Sequence, residues 1–150
     1  MISIVIPSKK RSRQSEFLLK AIQSIRAQGK DIEIIVAVDE LELQEFAGVR
    51  FVQGNGGQAH AMNAGVQATG GDYIGFLEDD DSWSPGRLEA ALEALNDADF
   101  TSCTQLEVDR DGRAIRINDF PTPSGWLMKR QVWEVVGQFN PDYRYHLDNE

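Results

Sequence analysis

Three short runs, ISIVI (2–6), IEIIVAV (32–38) and DYIGFL (72–77), are apolar at nearly every position and rich in β-branched or aromatic residues. They lack the polar alternation of a half-exposed strand, so they read as strands buried on both faces. Only a sheet covered by helices on both sides offers that environment. Helical segments lie between them. Within 15–28, Phe17, Leu18, Ala21, Ile22 and Ile25 share one face, and Gly29 suits the position just past a helix end. VRFV (49–52) is a further strand, residues 59–68 a helix ended by Gly70-Gly71, and Ser84-Pro85 an N-cap and first helical residue ahead of Leu88, Ala91, Leu92 and Leu95. Pro7 is expected to stop the first strand. Beyond residue 99 the style changes. FTSCTQLEV and RAIRI flank Asp111-Gly112, a hairpin signal, with Cys103 inside the first of these strands, and KRQVWEVVG reads as one helix closed by Gly137.

The fold class that follows is α/β: a mostly parallel, Rossmann-like sheet with helices on both faces and a C-terminal hairpin region, in a single domain spanning 1–150. Crossovers in such sheets are right-handed, so the strands' carboxyl ends share one edge, where ligands bind. Three loops leave that edge: PSKKRSR after the first strand, Asp39-Glu40 after the second, and EDDDSW after the fourth. The last carries Glu78, Asp79, Asp80 and Asp81 in a row. Adjacent carboxylates raise the cost of ionising one another, which a bound cation would offset. Mg²⁺ and Mn²⁺ take oxygen ligands, Mg²⁺ using one or two carboxylates plus substrate phosphates. The plainer alternative is that Asp81 and Ser82 favour the positive end of the following helix. The basic cluster Lys9, Lys10, Arg11 and Arg13 reads as a loop turning Arg11 toward a phosphate or as a plain solvated loop, and a nuclear-localisation signal fits an acidic protein less well. Trp83 is expected to pack under the acidic loop.

Charge and motif content exclude several classes. The net charge of −9 opposes nucleic-acid binding, which phosphate neutralisation dominates. A lone Cys103 forms no intrachain disulfide, and His60 and His146 have no partner at metal-ligand spacing. No transmembrane segment is expected, because no apolar stretch approaches the ~20 residues of a membrane span. The apolar run at the start precedes the basic one, the reverse of a secretory signal, so the expected location is cytoplasmic. GNGGQA (54–59) fits the dinucleotide fingerprint G-x-G-x-x-A, with Glu78 as the ribose acid, which makes a Rossmann oxidoreductase the rival reading. A nucleotidyltransferase would carry a Gly-rich loop after the first strand, and PSKKRSR has no glycine. A non-catalytic binding module would keep the sheet without needing the metal.

ISIVIPSKKR, IEIIVAVDE, NGGQAHAMNAGVQATGGDYIGFLEDDDSWSPGRLE and GWLMKRQVWEVVGQFNPDY, in that order, resemble the segments of a family 2 glycosyltransferase of the GT-A fold. The most specific part is 63–83, which begins at Asn63 and ends in the DXD-type acidic motif. The resemblance implies a transferase that uses Mn²⁺ or Mg²⁺ and a nucleotide-diphospho-sugar donor. The metal would lie on Asp80 and Asp81. Pro7, Ser8, Arg11, Asp39, Asn63, Glu78 and Asp79 would serve the donor. The acceptor is a hydroxyl on a saccharide, a lipid-linked carrier or a protein. The catalytic base falls on Asp148, with Glu150 as its competitor, and transfer inverts the anomeric centre by single displacement. The sequence departs from the family pattern at Lys9-Lys10, where Tyr-Asn is usual, and at Glu78, where Asp is commoner. It ends where such domains continue for several elements, so part of the usual acceptor region is expected to be missing.

Overall fold

The computed structural model describes residues 1–9, 14–39, 46–109 and 111–143. The elements run β1 (Ile2–Lys9), α1 (Gln14–Arg26), β2 (Ile32–Asp39), β3 (Val49–Gln53), α2 (Gln58–Gln67), β4 (Tyr73–Phe76), α3 (Arg87–Ala94), β5 (Phe100–Thr101), β6 (Gln105–Val108), β7 (Ala114–Asn118), a 3-10 turn at Pro123–Gly125, β8 (Leu127–Lys129) and α4 (Arg130–Val136). Six strands form one sheet in the order β3-β2-β1-β4-β8-β5, and β6 pairs with β7 alone. β1, β2, β3 and β4 are parallel, and β8 is antiparallel to both neighbours.

The unbroken apolar runs are buried on both faces, as the sheet requires. Ile2, Ile4 and Ile6 of β1 join Leu18, Ile22 and Ile25 of α1 and Leu88 of α3 on one side. Val5 joins Ile35, Met62, Val66 and Phe76 under α2 on the other. Each fully buried isoleucine contributes roughly 1.5–3 kcal/mol.

Pro7 does not stop β1. The Leu77 N–H donates to the Val5 carbonyl, so Val5 faces β4, and two residues on the Pro7 nitrogen faces the same side. Pairing between β1 and β4 ends at Val5 and Phe76, so no ladder bond is asked of Pro7. The α3 start also differs. Pro85-Gly86 forms a turn, with Gly86 at φ 79° and the Arg87 N–H on the Ser84 carbonyl, and the helix begins at Arg87. Gln28, beyond α1, reaches across to accept from the Leu88 N–H and donate to the Ser84 carbonyl. Cys103 lies between β5 and β6 rather than in a strand.

The helix expected at KRQVWEVVG forms as α4 and ends at Gly137, but its first residue, Lys129, belongs to β8, a three-residue strand inserted between β4 and β5. Aromatic packing brings it there. Phe76 of β4 meets Trp126, Trp133 and Phe139 at centroid distances of 6.4, 6.3 and 5.8 Å. The hairpin forms at Asp111-Gly112 as expected, with Gly112 at φ 79° and Arg116 paired to Glu107 through two bonds of 2.8 and 2.9 Å.

α2 sits close on β1 because Gly65 has no side chain. A Cβ there would overlap a Val5 methyl and stand 3.4 Å from the Ala37 Cβ. Gly65→Ala is therefore predicted to lower stability by about 1–3 kcal/mol, reversing the ~1 kcal/mol that alanine normally adds to a helix. Urea unfolding measures it, and an unchanged or raised midpoint would contradict this packing.

Candidate functional site

β1 leads through α1 to β2 on one side of it, and α2 returns the chain across β1 to β4 on the other. The connections thus reverse direction at the β1/β4 boundary, the switch point at which open α/β sheets form a ligand crevice. Ser8 closes β1, and the acidic row follows β4. The Ser8 hydroxyl donates to Asp79 Oδ2 at 2.5 Å across the boundary, and both residues are buried. A carboxylate buried that deeply needs such donors, since removing it from water is otherwise costly. Asp39, ending β2, accepts the Gly56 N–H at 3.0 Å and so ties the glycine loop to the same edge. Pro7 is buried beside Ser8.

The four acids form one closed turn, with the Asp81 N–H on the Glu78 carbonyl at 3.1 Å. Each end has its own support. Gln58, at the start of α2, donates to Glu78 Oε1 at 2.7 Å. Ser124, in the 3-10 turn, accepts the Glu78 N–H at 3.0 Å and donates to Asp81 Oδ2 at 2.6 Å. Asp80 is exposed at the tip. Trp83 is buried below the turn, as expected, and its indole N–H donates to the Ser124 carbonyl at 2.9 Å. Arg87 lies 4.3 Å from the centre of a Trp83 ring and donates to the Gly125 carbonyl at 2.5 Å. Burial lowers the Arg87 pKa from the ordinary arginine value, and the neighbouring Cys103 opposes that shift.

Gln58 and Ser124 were not anticipated. Gln58 stood in the GNGGQ loop without an assigned role, and PTPSG carries no signal beyond a turn. Arg11, Asp148 and Glu150 lie outside the described residues. The donor set at the turn suits a hard divalent cation, being all carboxylate oxygen. Among the described residues no three His, Cys, Asp or Glu side chains converge as a metal-ligand group. A cation on this turn would therefore complete its coordination with donor phosphates and water, as Mg²⁺ commonly does.

The model of glycosyl transferase family 2 matches residues 3–142. The chain belongs to that family. An uncharacterized glycosyltransferase of Nostoc sp. is 34% identical over 93% of the chain. Among solved structures, S. aureus TarS 1-349 in complex with UDP superposes with a TM-score of 0.74 at 13% identity over 98% of the chain. The mannosyltransferase PcManGT from Pyrobaculum calidifontis, in complex with GDP-Man and Mn²⁺, gives 0.70 at 15% identity over 94%. These are GT-A glycosyltransferases, and the fold here is GT-A. The chain spans about half of each relative: 54% of the Nostoc protein, 52% of TarS 1-349 and 48% of PcManGT.

Family membership removes the oxidoreductase reading of GNGGQA, and the sheet order explains why that motif misleads. A dinucleotide fingerprint links neighbouring strands, whereas β2 and β1 separate β3 from β4 here. No helix among the described residues of this family 2 domain is long and apolar enough to cross a membrane.

Asn63, expected at the donor, has its amide on the backbone of Phe139. Its Nδ2 donates to the Phe139 carbonyl at 2.8 Å and its Oδ1 accepts the Phe139 N–H at 3.0 Å. Two bonds to one residue imitate a strand pair and clip the segment after α4 to α2. Asn63→Ala is predicted to lower stability by about 1–3 kcal/mol, the range for a hydrogen-bonding group left without its partner. Nucleotide affinity should stay near wild type. A calorimetric melt beside a nucleotide titration separates the two effects, and lost affinity without lost stability would return Asn63 to the donor site.

Proposed function

We propose that this chain is the donor-binding part of a glycosyltransferase that moves a sugar from a nucleotide diphosphate to an acceptor hydroxyl. The observation that carries the reading is the position of the Glu78–Asp81 turn at the switch point, tied through Asp79 to Ser8. TarS with UDP and PcManGT with GDP-Man and Mn²⁺ share its fold, which supports a nucleotide-sugar donor and a divalent cation.

In this reading Asp80 and Asp81 hold Mn²⁺ or Mg²⁺, with Glu78 and Asp79 bordering the same pocket. The cation, when bound, supplies Lewis-acid stabilisation of the diphosphate leaving group. Pro7, Ser8 and Asp39 line the nucleotide end, with Arg11 toward the phosphates. A carboxylate on the opposite side of the sugar takes the acceptor proton, and Asp148 is the residue proposed for it, with Glu150 as the alternative. Displacement from that side inverts the anomeric centre. The acceptor hydroxyl belongs to a saccharide, a lipid-linked carrier or a protein.

Two outcomes follow. Calorimetric titration with UDP, GDP and dTDP should show binding of at least one diphosphate in Mn²⁺ or Mg²⁺ and none in excess EDTA, and Asp80→Asn should remove most of that affinity. Equal binding in EDTA would overturn the metal assignment. In a form of the protein that transfers sugar, Asp148→Asn should keep donor affinity and slow transfer by roughly 10²–10⁴-fold. Wild-type transfer by Asp148→Asn would move the base elsewhere, with Glu150→Gln as the parallel test.

A further inference from the structure

We infer that Ser124 is the residue that positions the acidic turn for cation binding, an assignment resting on the metal-dependent reading above. One hydroxyl serves both ends of the turn. It accepts the backbone N–H of Glu78, the first residue, and donates to the carboxylate of Asp81, the last.

Ser124 is itself held tightly. It is buried, with 4% of its surface exposed. Its carbonyl takes the Trp83 indole N–H at 2.9 Å, and the next carbonyl, Gly125, takes Arg87. Arg87 in turn covers a Trp83 ring at 4.3 Å. The backbone behind the hydroxyl is therefore pinned by two residues that follow the acidic row in sequence. A Cβ at Gly125 would stand 3.0 Å from the Cys103 carbonyl, so the 3-10 turn also backs directly onto the chain leading into β6.

A flexible row of four carboxylates would spread under its own repulsion and meet a cation in many arrangements. Fixing Asp81 Oδ2 through a hydroxyl, while the same oxygen anchors the start of the turn, removes much of that freedom before a cation arrives. Groups behind metal ligands that fix their orientation typically govern affinity by 10–100-fold. Ser124 acts through Asp81 and the turn backbone, which makes it a positioning residue rather than a ligand.

The test is Mn²⁺ affinity at saturating UDP, read from the electron paramagnetic resonance signal of free Mn²⁺ well below the melting temperature of each variant. Ser124→Ala should weaken Mn²⁺ binding by about 10–100-fold. In an Asp81→Asn background the same change should cost clearly less than in the wild type, because the part that acts through Asp81 is already lost and only the anchor on the Glu78 N–H remains. Ser124→Cys, of similar size with a weak donor, serves where the alanine variant unfolds, and should also weaken Mn²⁺. A lower melting temperature with wild-type Mn²⁺ affinity would reduce Ser124 to a packing role and overturn the inference. Wild-type protein that binds no Mn²⁺ with any nucleoside diphosphate would overturn the functional reading itself, which distinguishes the two failures.

Discussion

β1 carries neighbours on both faces and on both edges, and this saturation organises everything around it. Its isoleucines face α1, its Val5 faces α2, β2 pairs along its full length, and β4 pairs only as far as Val5. The β1–β4 ladder thus ends before Pro7. Proline is tolerated there because it brings no N–H to that edge, and the gap it borders lies at the switch point of the sheet. Ser8 reaches across that gap to Asp79, so the end of the core and the start of the site are the same three residues.

The acidic turn draws its order from distant parts of the chain. Gln58 of α2, Ser8 of β1 and Ser124 of the 3-10 turn each take a different acid, and the tip of the turn, at Asp80, is exposed. Partners on separate elements hold the carboxylates apart more firmly than local loop geometry could. The C-terminal third of the chain contributes because Trp126, Trp133 and Phe139 pack on Phe76, at the end of β4. That cluster, with the Asn63 clip on Phe139, also holds the chain after α4 against α2.

Particular elements show where local pattern and tertiary context part company. The strands at 2–6, 32–38 and 72–77 were legible because two-sided burial demands unbroken apolar runs, and the hairpin because Asp-Gly supports its turn. β8 was not. Leu127–Lys129 is too short for any period and abuts a helical pattern, so only pairing with β4 and β5 makes it a strand. Ser84-Pro85 has the composition of a helix start, yet the following Gly86 favours a turn, and the cap comes instead from Gln28 in another element.

By itself the sequence determined the α/β class, the edge at which the loops gather, and the family, because periodicity and the 63–83 segment are local properties of the chain. It also placed the acids together, since they are adjacent in it. Only the tertiary structure decided which acid is buried and which exposed, that Asn63 faces Phe139, and that Ser124 stands behind the turn. Those outcomes depend on hydrogen bonds between residues 43 to 76 positions apart, and no local pattern encodes which distant donor will reach a given carboxylate.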